Sequence, residues 1–262
     1  RWPLNDKVPS HFDGMNVDHR VLEKYRPVDN DDVPDADVVI ATWWETAEWV
    51  TALNPSKGKK VYFVQGHDVQ EGLPLDRVRA TYRMSFLYLA VSQWLIDILI
   101  QDYNAQNIKL IPNAVDSVFF NAPGKIKMPV PTIGFVYSPV SPKGCDLCIS
   151  ALKRVQAILP KLKILSFGSS QIAEGLSLPE NTNFYYRPSQ EKIREIYSSC
   201  DFWLFSSRAE GFGLPILEAM ACRTPVIATR AGAAPELIGK GGGILLDDWS
   251  VEGMSDTIVK AL

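Results

Sequence analysis

Short apolar runs alternate with amphipathic stretches along most of this 262-residue chain. The runs fall at 38–42, 60–65, 88–92, 109–112, 132–137, 163–168, 183–187, 202–207, 225–229 and 243–247. They are too short for helices and rich in Val, Ile and aromatic residues, so they read as buried strands. At 46–53, 93–103, 145–159, 190–200, 214–223 and 251–262 the apolar positions recur at helical spacing. Strand–helix alternation of this kind predicts an α/β protein with parallel sheets and helices on both faces.

The alternation breaks at NAPGKIKMPVP (121–131), where three prolines and a glycine leave little periodicity. That stretch reads as a linker between a first domain, 1–120, and a second, 132–262. The second half has a nearly complete set of α/β strands, whereas the first does not. Its opening 36 residues are polar, contain prolines and offer no convincing strand. With a start at Arg1 rather than a methionine and an end at Leu262 inside a helical pattern, the N-terminal domain is read as incomplete.

A formal charge of −3 argues against a dedicated nucleic-acid binder. No apolar run spans a bilayer: FLYLAVSQWLIDILI (86–100) is interrupted by Ser92, Gln93 and Asp97. Cys145 and Cys148 form a CxxC on a helical pattern with no second pair and no nearby histidine. With Cys200 and Cys222 they are read as buried small residues rather than as a zinc or redox site.

The most informative string is EGFGLPILE (210–218), between the strand-like DFWLFSS and the helical LPILEAMACR. A strand, a glycine-bearing turn and a helix start together make an anion site, because backbone N–H groups and the helix N-terminus favour negative charge. Glu210 precedes the turn and Glu218 lies about one helical turn inside. Acceptor-only carboxylates flanking an anion site suit a ligand that is anionic in the middle and hydroxyl-rich at both ends, such as a nucleotide-sugar. Alone, Glu218 would read as an ordinary acidic residue early in a helix.

The longer segment EGFGLPILEAMACRTPVIATRAGAAPELI (210–238) resembles the nucleotide-sugar-binding region of glycosyltransferase family 4, which has the GT-B fold. Three landmarks occur in that family's order: IPNAVD (111–116), Lys143–Gly144 before a helix, and AGAAPE (231–236). The resemblance implies two Rossmann-like domains facing across a cleft, with the donor held by the C-terminal one. It implies that Glu218 holds the ribose hydroxyls and that Glu210 contacts the donor sugar. Gly211, Phe212, Gly213 and Leu214 would surround the sugar and diphosphate with backbone N–H groups, and Lys143 would be the diphosphate cation. Ser138 stands where the family usually has an arginine, leaving Arg208 or Arg230 to supply charge from elsewhere. His67, in QGHD (65–68), would approach the donor sugar, with Asp68 to orient it or to cap the next element. His11 and His19 have no such context. Tyr185, Tyr186 and Arg187 end a strand where the family holds the nucleobase, and Ser92, Asn113, Pro235 and Glu236 shape cleft loops. Trp43, Trp44 and Trp49 are candidates to line an acceptor groove, with core packing expected for at least one.

The resemblance further implies retention of anomeric configuration with no bound metal and no cofactor, since the nucleotide-sugar is a substrate. The expected partners are a nucleotide-diphosphate sugar and a glycan or lipid-linked acceptor, with no nucleic acid. The expected location is the cytoplasm, a reading that admits peripheral contact at the inner face of a membrane. A loose likeness to transferases of bacterial surface polysaccharides points to rhamnosyl-type donors. Two alternatives stay open: a sugar-nucleotide epimerase or phosphorylase on the same scaffold, or a catalytically impaired binding fragment.

Overall fold

A computed structural model describes residue 12 and residues 14–22, 24–70 and 72–262; His11 lies outside the described residues. All ten anticipated strands form, each in parallel pairing. They make two sheets.

The first sheet contains β1 (Val38–Ala41), β2 (Lys59–Val64), β3 (Leu87–Ala90) and β4 (Ile108–Leu110), in that spatial order. Helices α1 (Trp44–Ala52), α2 (Leu75–Thr81) and α3 (Gln93–Tyr103) make the connections. Right-handed crossovers that always step to the next strand deliver every helix to the same face. All three helices accordingly bury their apolar sides in one cluster with Tyr62, Val64, Tyr88 and Ala90. The register turns Val38 and Ile40 to the opposite face, where both are exposed. Helices on both faces, expected from the sequence, are therefore not what the described residues of this sheet supply.

The second sheet has the order β10-β9-β8-β5-β6-β7, built from β5 (Thr132–Val136), β6 (Lys163–Gly168), β7 (Thr182–Tyr186), β8 (Phe202–Phe205), β9 (Val226–Ala228) and β10 (Gly243–Leu245). Here the order reverses. The chain steps outward from β5 to β7, then returns to lay β8 on the other side of β5. Reversal sends helices to both faces. Helices α4 (Cys145–Ile158) and α8 (Val251–Ala261) pack against Ile133, Phe135, Ile164 and Ile227 on one. Helices α5 (Gln190–Ser198), α6 (Leu214–Ala221) and α7 (Ala234–Ile238) pack against Phe167, Trp203 and Val226 on the other. A doubly wound sheet opens a crevice at the carboxyl ends of the two strands where the order reverses. In this chain those strands are β5 and β8.

The segment 121–131 between the sheets is fastened to the second. Lys125 Nζ donates to the carbonyl of Cys200 at 2.5 Å and to Thr224 Oγ1. Asp201 accepts from the amides of Met128 (3.0 Å) and Thr132 (2.9 Å). All four cysteines are buried and unpaired, as read from the sequence. No helix among the described residues is long and apolar enough to cross a membrane.

Candidate donor site at the strand-order reversal

The loops leaving β5 and β8 carry the residues singled out by sequence, and the fold brings them together. After β5 the chain runs through Ser138 to a short 3-10 turn, Ser141–Lys143, and Gly144 opens α4. Gly144 adopts a left-handed φ of 63°, and a Cβ there would sit 2.0 Å from the carbonyl of Ser206. The loop after β8 is thus in backbone contact with the loop after β5. Ser206 Oγ adds a bond to the carbonyl of Lys143 at 3.1 Å. Across this junction Lys143 Nζ pairs with Glu210 Oε1, which also accepts from Ser207 Oγ at 3.3 Å. The Lys143 side chain is 42% exposed and that of Glu210 17%, so the lysine is the more open member of the pair.

Gly213, at φ 102°, is the N-cap of α6, and Pro215 stands in the first turn. The earliest amides of a helix have no carbonyl partner within it, so Gly213 and Leu214 present donors at the crevice. Glu218, one turn further, accepts from the Tyr197 hydroxyl at 2.7 Å. Burial pushes its carboxyl up from the ordinary value, and the Tyr197 bond partly offsets this. Tyr197 is itself fully buried, edge-on to Trp203 with ring centroids 4.4 Å apart. Sequence analysis places Tyr197 only within the helical stretch QEKIREIYSSC and gives it no role.

The remaining predicted positions divide. Ser138 donates its amide to Cys145 Sγ (3.2 Å) and accepts from Val140 N (3.3 Å), so it shapes the loop. Both alternative arginines are paired with carboxylates. Arg208 holds Asp146 through two 2.7 Å bonds, bracing the 3-10 turn to α4, and Arg230 pairs with Asp247 at 2.7 Å. Arg187 follows β7 at φ 45°; its amide bonds to Gly168 O and its guanidinium lies over the Tyr186 ring. It therefore sits at the carboxyl edge of the sheet, beside β6.

His67 follows β2 in the first half. Its Nε2 meets the Tyr103 hydroxyl at 2.7 Å, and burial lowers its pKa. Asp68 was expected to orient it or to cap; Tyr103 is instead the partner found, and the Asp68 amide bonds to the Tyr82 hydroxyl. Trp44 is buried, as foreseen for one member of the tryptophan group, while Trp43 is 38% exposed.

The two halves meet on the donor turn itself. The Gly211 carbonyl accepts from Ser92 Oγ (3.1 Å) and Trp94 Nε1 (2.8 Å), and a Cβ on Gly211 would lie 1.7 Å from the carbonyl of Gln65. The Phe212 side chain enters the core of the first sheet. Glu236, at the start of α7, accepts from the amides of Gln93 and Trp94 at 3.1 Å each. Sequence placed Ser92 and Glu236 near a cleft but gave no sign of Trp94.

A family described as Glycosyl transferases group 1 matches residues 120–262, more than half of the chain and all of the second sheet with its crevice. The chain belongs to that family. A curated relative, the D-inositol 3-phosphate glycosyltransferase of Segniliparus rotundus, is 26% identical over 167 residues, covering 56% of this chain and 37% of that protein. Among solved structures, a sucrose-phosphate synthase from Thermosynechococcus elongatus superposes with a TM-score of 0.71 at 18% identity, covering 86% of this chain and 64% of the other. A TarM variant from S. aureus, in complex with fondaparinux, alpha-GlcNAc-glycerol and UDP, gives 0.71 at 17% identity over 85% and 48%. This group 1 chain thus spans from about a third to two thirds of the length of these relatives. At such identities the structures establish fold, and the fold is GT-B.

Proposed function

We propose that the crevice between the loops after β5 and β8 holds a nucleoside-diphosphate sugar, and that the protein transfers the sugar to a hydroxyl of a glycan or lipid-linked acceptor. The observation that carries this is the convergence of Lys143, Glu210 and the α6 amides at the reversal of strand order. A diphosphate lying over the α6 N-terminus meets orphan N–H donors, a favourable helix dipole and one lysine cation. One turn into α6, Glu218 accepts from the vicinal hydroxyls of the ribose through a charged carboxylate. On the other side, Glu210 is free to accept from hydroxyls of the sugar once the diphosphate draws Lys143 away.

As the glycosidic bond breaks, charge grows on the departing diphosphate and the sugar becomes oxocarbenium-like. A cation and dipoles already fixed at the diphosphate stabilise that state more than the ground state. We favour attack from the face that the diphosphate leaves, with the departing phosphate taking the acceptor's proton. This route retains configuration and requires no metal. Because Ser138 replaces a cation, the leaving group relies on Lys143 more heavily than it would with an arginine beside it. Release of nucleoside diphosphate from its nucleotide-sugar should therefore fall at least about 100-fold in Lys143→Ala. Unchanged release in that variant would remove Lys143 from the mechanism. Free epimerised sugar-nucleotide, or phosphate-dependent glycan cleavage, would instead support the epimerase or phosphorylase alternative.

A further inference from the structure

We propose that Glu236 is a positioning residue, carried by the C-terminal half, which caps α3 of the N-terminal half and thereby sets the orientation of the donor turn. Helix α3 has an extended N-cap residue, Ser92, whose side chain makes no capping bond. Its hydroxyl reaches the Gly211 carbonyl instead. The cap comes from across the seam, with one Glu236 oxygen on each of the first two amides of the helix. A carboxylate there satisfies two orphan donors and complements the helix dipole.

The consequence lies in the next peptide. Trp94, whose amide Glu236 holds, places its indole N–H on the Gly211 carbonyl. That carbonyl and the N–H of Phe212 belong to one planar trans peptide unit and point in opposite directions. Fixing the oxygen from the N-terminal half therefore aims the Phe212 N–H away from Ser92 and Trp94, and the proposed function makes that N–H a donor to the transferred sugar. Gly211 leaves the peptide no room to tilt, since its Cα already abuts Gln65. Glu236 thus acts through α3, Trp94 and the Gly211 carbonyl, and touches no substrate.

The inference rests on the proposed donor site for its consequence in turnover, but the cap can be tested without it. Amide exchange by NMR on the unliganded protein should show Gln93 and Trp94 exchanging about tenfold or more faster in Glu236→Ala. The Leu237 amide, bonded within its own half to Ala233 O, should change little. Glu236→Gln keeps one carbonyl oxygen and should give intermediate protection; it decides the matter if the alanine variant does not fold. Affinity for whichever of UDP, GDP, ADP or dTDP binds should stay within about twofold, while its release from the matching nucleotide-sugar falls about tenfold. Wild-type exchange at Gln93 and Trp94 in the glutamine variant would overturn the proposal, as would turnover that falls only in step with nucleotide affinity. If the wild-type protein binds none of the four nucleotides, the donor reading fails and the exchange data alone decide the role of Glu236.

Discussion

Glu218 sits at the balance between burial and function. Burial raises its carboxyl, and the Tyr197 hydroxyl opposes that rise. The ionised form accepts from the hydroxyls of a diol more strongly than the neutral acid does, so donor affinity should fall as pH drops through the Glu218 pKa. Removing the Tyr197 hydroxyl removes the opposing influence. Tyr197→Phe should therefore shift the acidic limb of a nucleotide-affinity profile to higher pH, with little change on its alkaline side. A profile superimposable on the wild type would show that the Tyr197 bond does not tune this carboxylate. At this scale the acidic and glycine positions were legible because they lie in one string, EGFGLPILE, and Lys143 because a Lys–Gly pair precedes a helical pattern. Tyr197 and Trp94 were not legible, since each meets its partner only after the sheets have formed. Trp94 lies 117 residues from Gly211.

Elements were legible to a different degree. Every strand was found because buried parallel strands are continuous apolar runs bounded by polar turns. Helix α2 was missed: LDRVRAT spans seven residues and buries only Val78 and Thr81, too little to set up a period. Helix α1 begins two residues before the predicted start, because Thr46 Oγ1 accepts from the Trp43 amide and fixes the first turn. Glycine positions tell the same story. The motif identified Gly211 as part of a turn, but only the structure gives the reason, a backbone approach between the halves that leaves no space for a methyl group. Gly211→Ala must push β2's terminal loop away from the donor turn. It should destabilise the protein by roughly 1–3 kcal/mol, read by urea denaturation, while leaving the circular dichroism of the helices intact. A stability equal to wild type would mean that the seam yields without cost.

Across the whole molecule, two sheets of unequal organisation meet along one seam. The first is wound in a single direction and the second is doubly wound, so the crevice belongs to the second and the first closes over it. Asp68, on the closing side, reports on that environment. Burial pushes its carboxyl up to about 6 from 3.8. Between those values the folded chain holds a proton that the unfolded chain has released, so stability falls as pH rises from about 4 to 6 and stays lower above it. Asp68→Asn removes the titration. It should stabilise the protein at pH 7 by on the order of 1 kcal/mol, after allowing for solvent screening, and add nothing at pH 4. Equal effects at both pH values would assign the change to packing rather than to charge.

The account stands on the crevice binding a nucleoside diphosphate. Thermal melts of the protein with UDP, GDP, ADP and dTDP at millimolar concentration, run beside Glu218→Ala, test it most directly. At 100 times its dissociation constant a ligand adds about 2.7 kcal/mol to stability, a rise of several degrees. The expected result is that at least one of the four raises the wild-type melting temperature by that amount and leaves Glu218→Ala unmoved. No rise with any of the four, or an equal rise in the variant, would contradict the donor site described here.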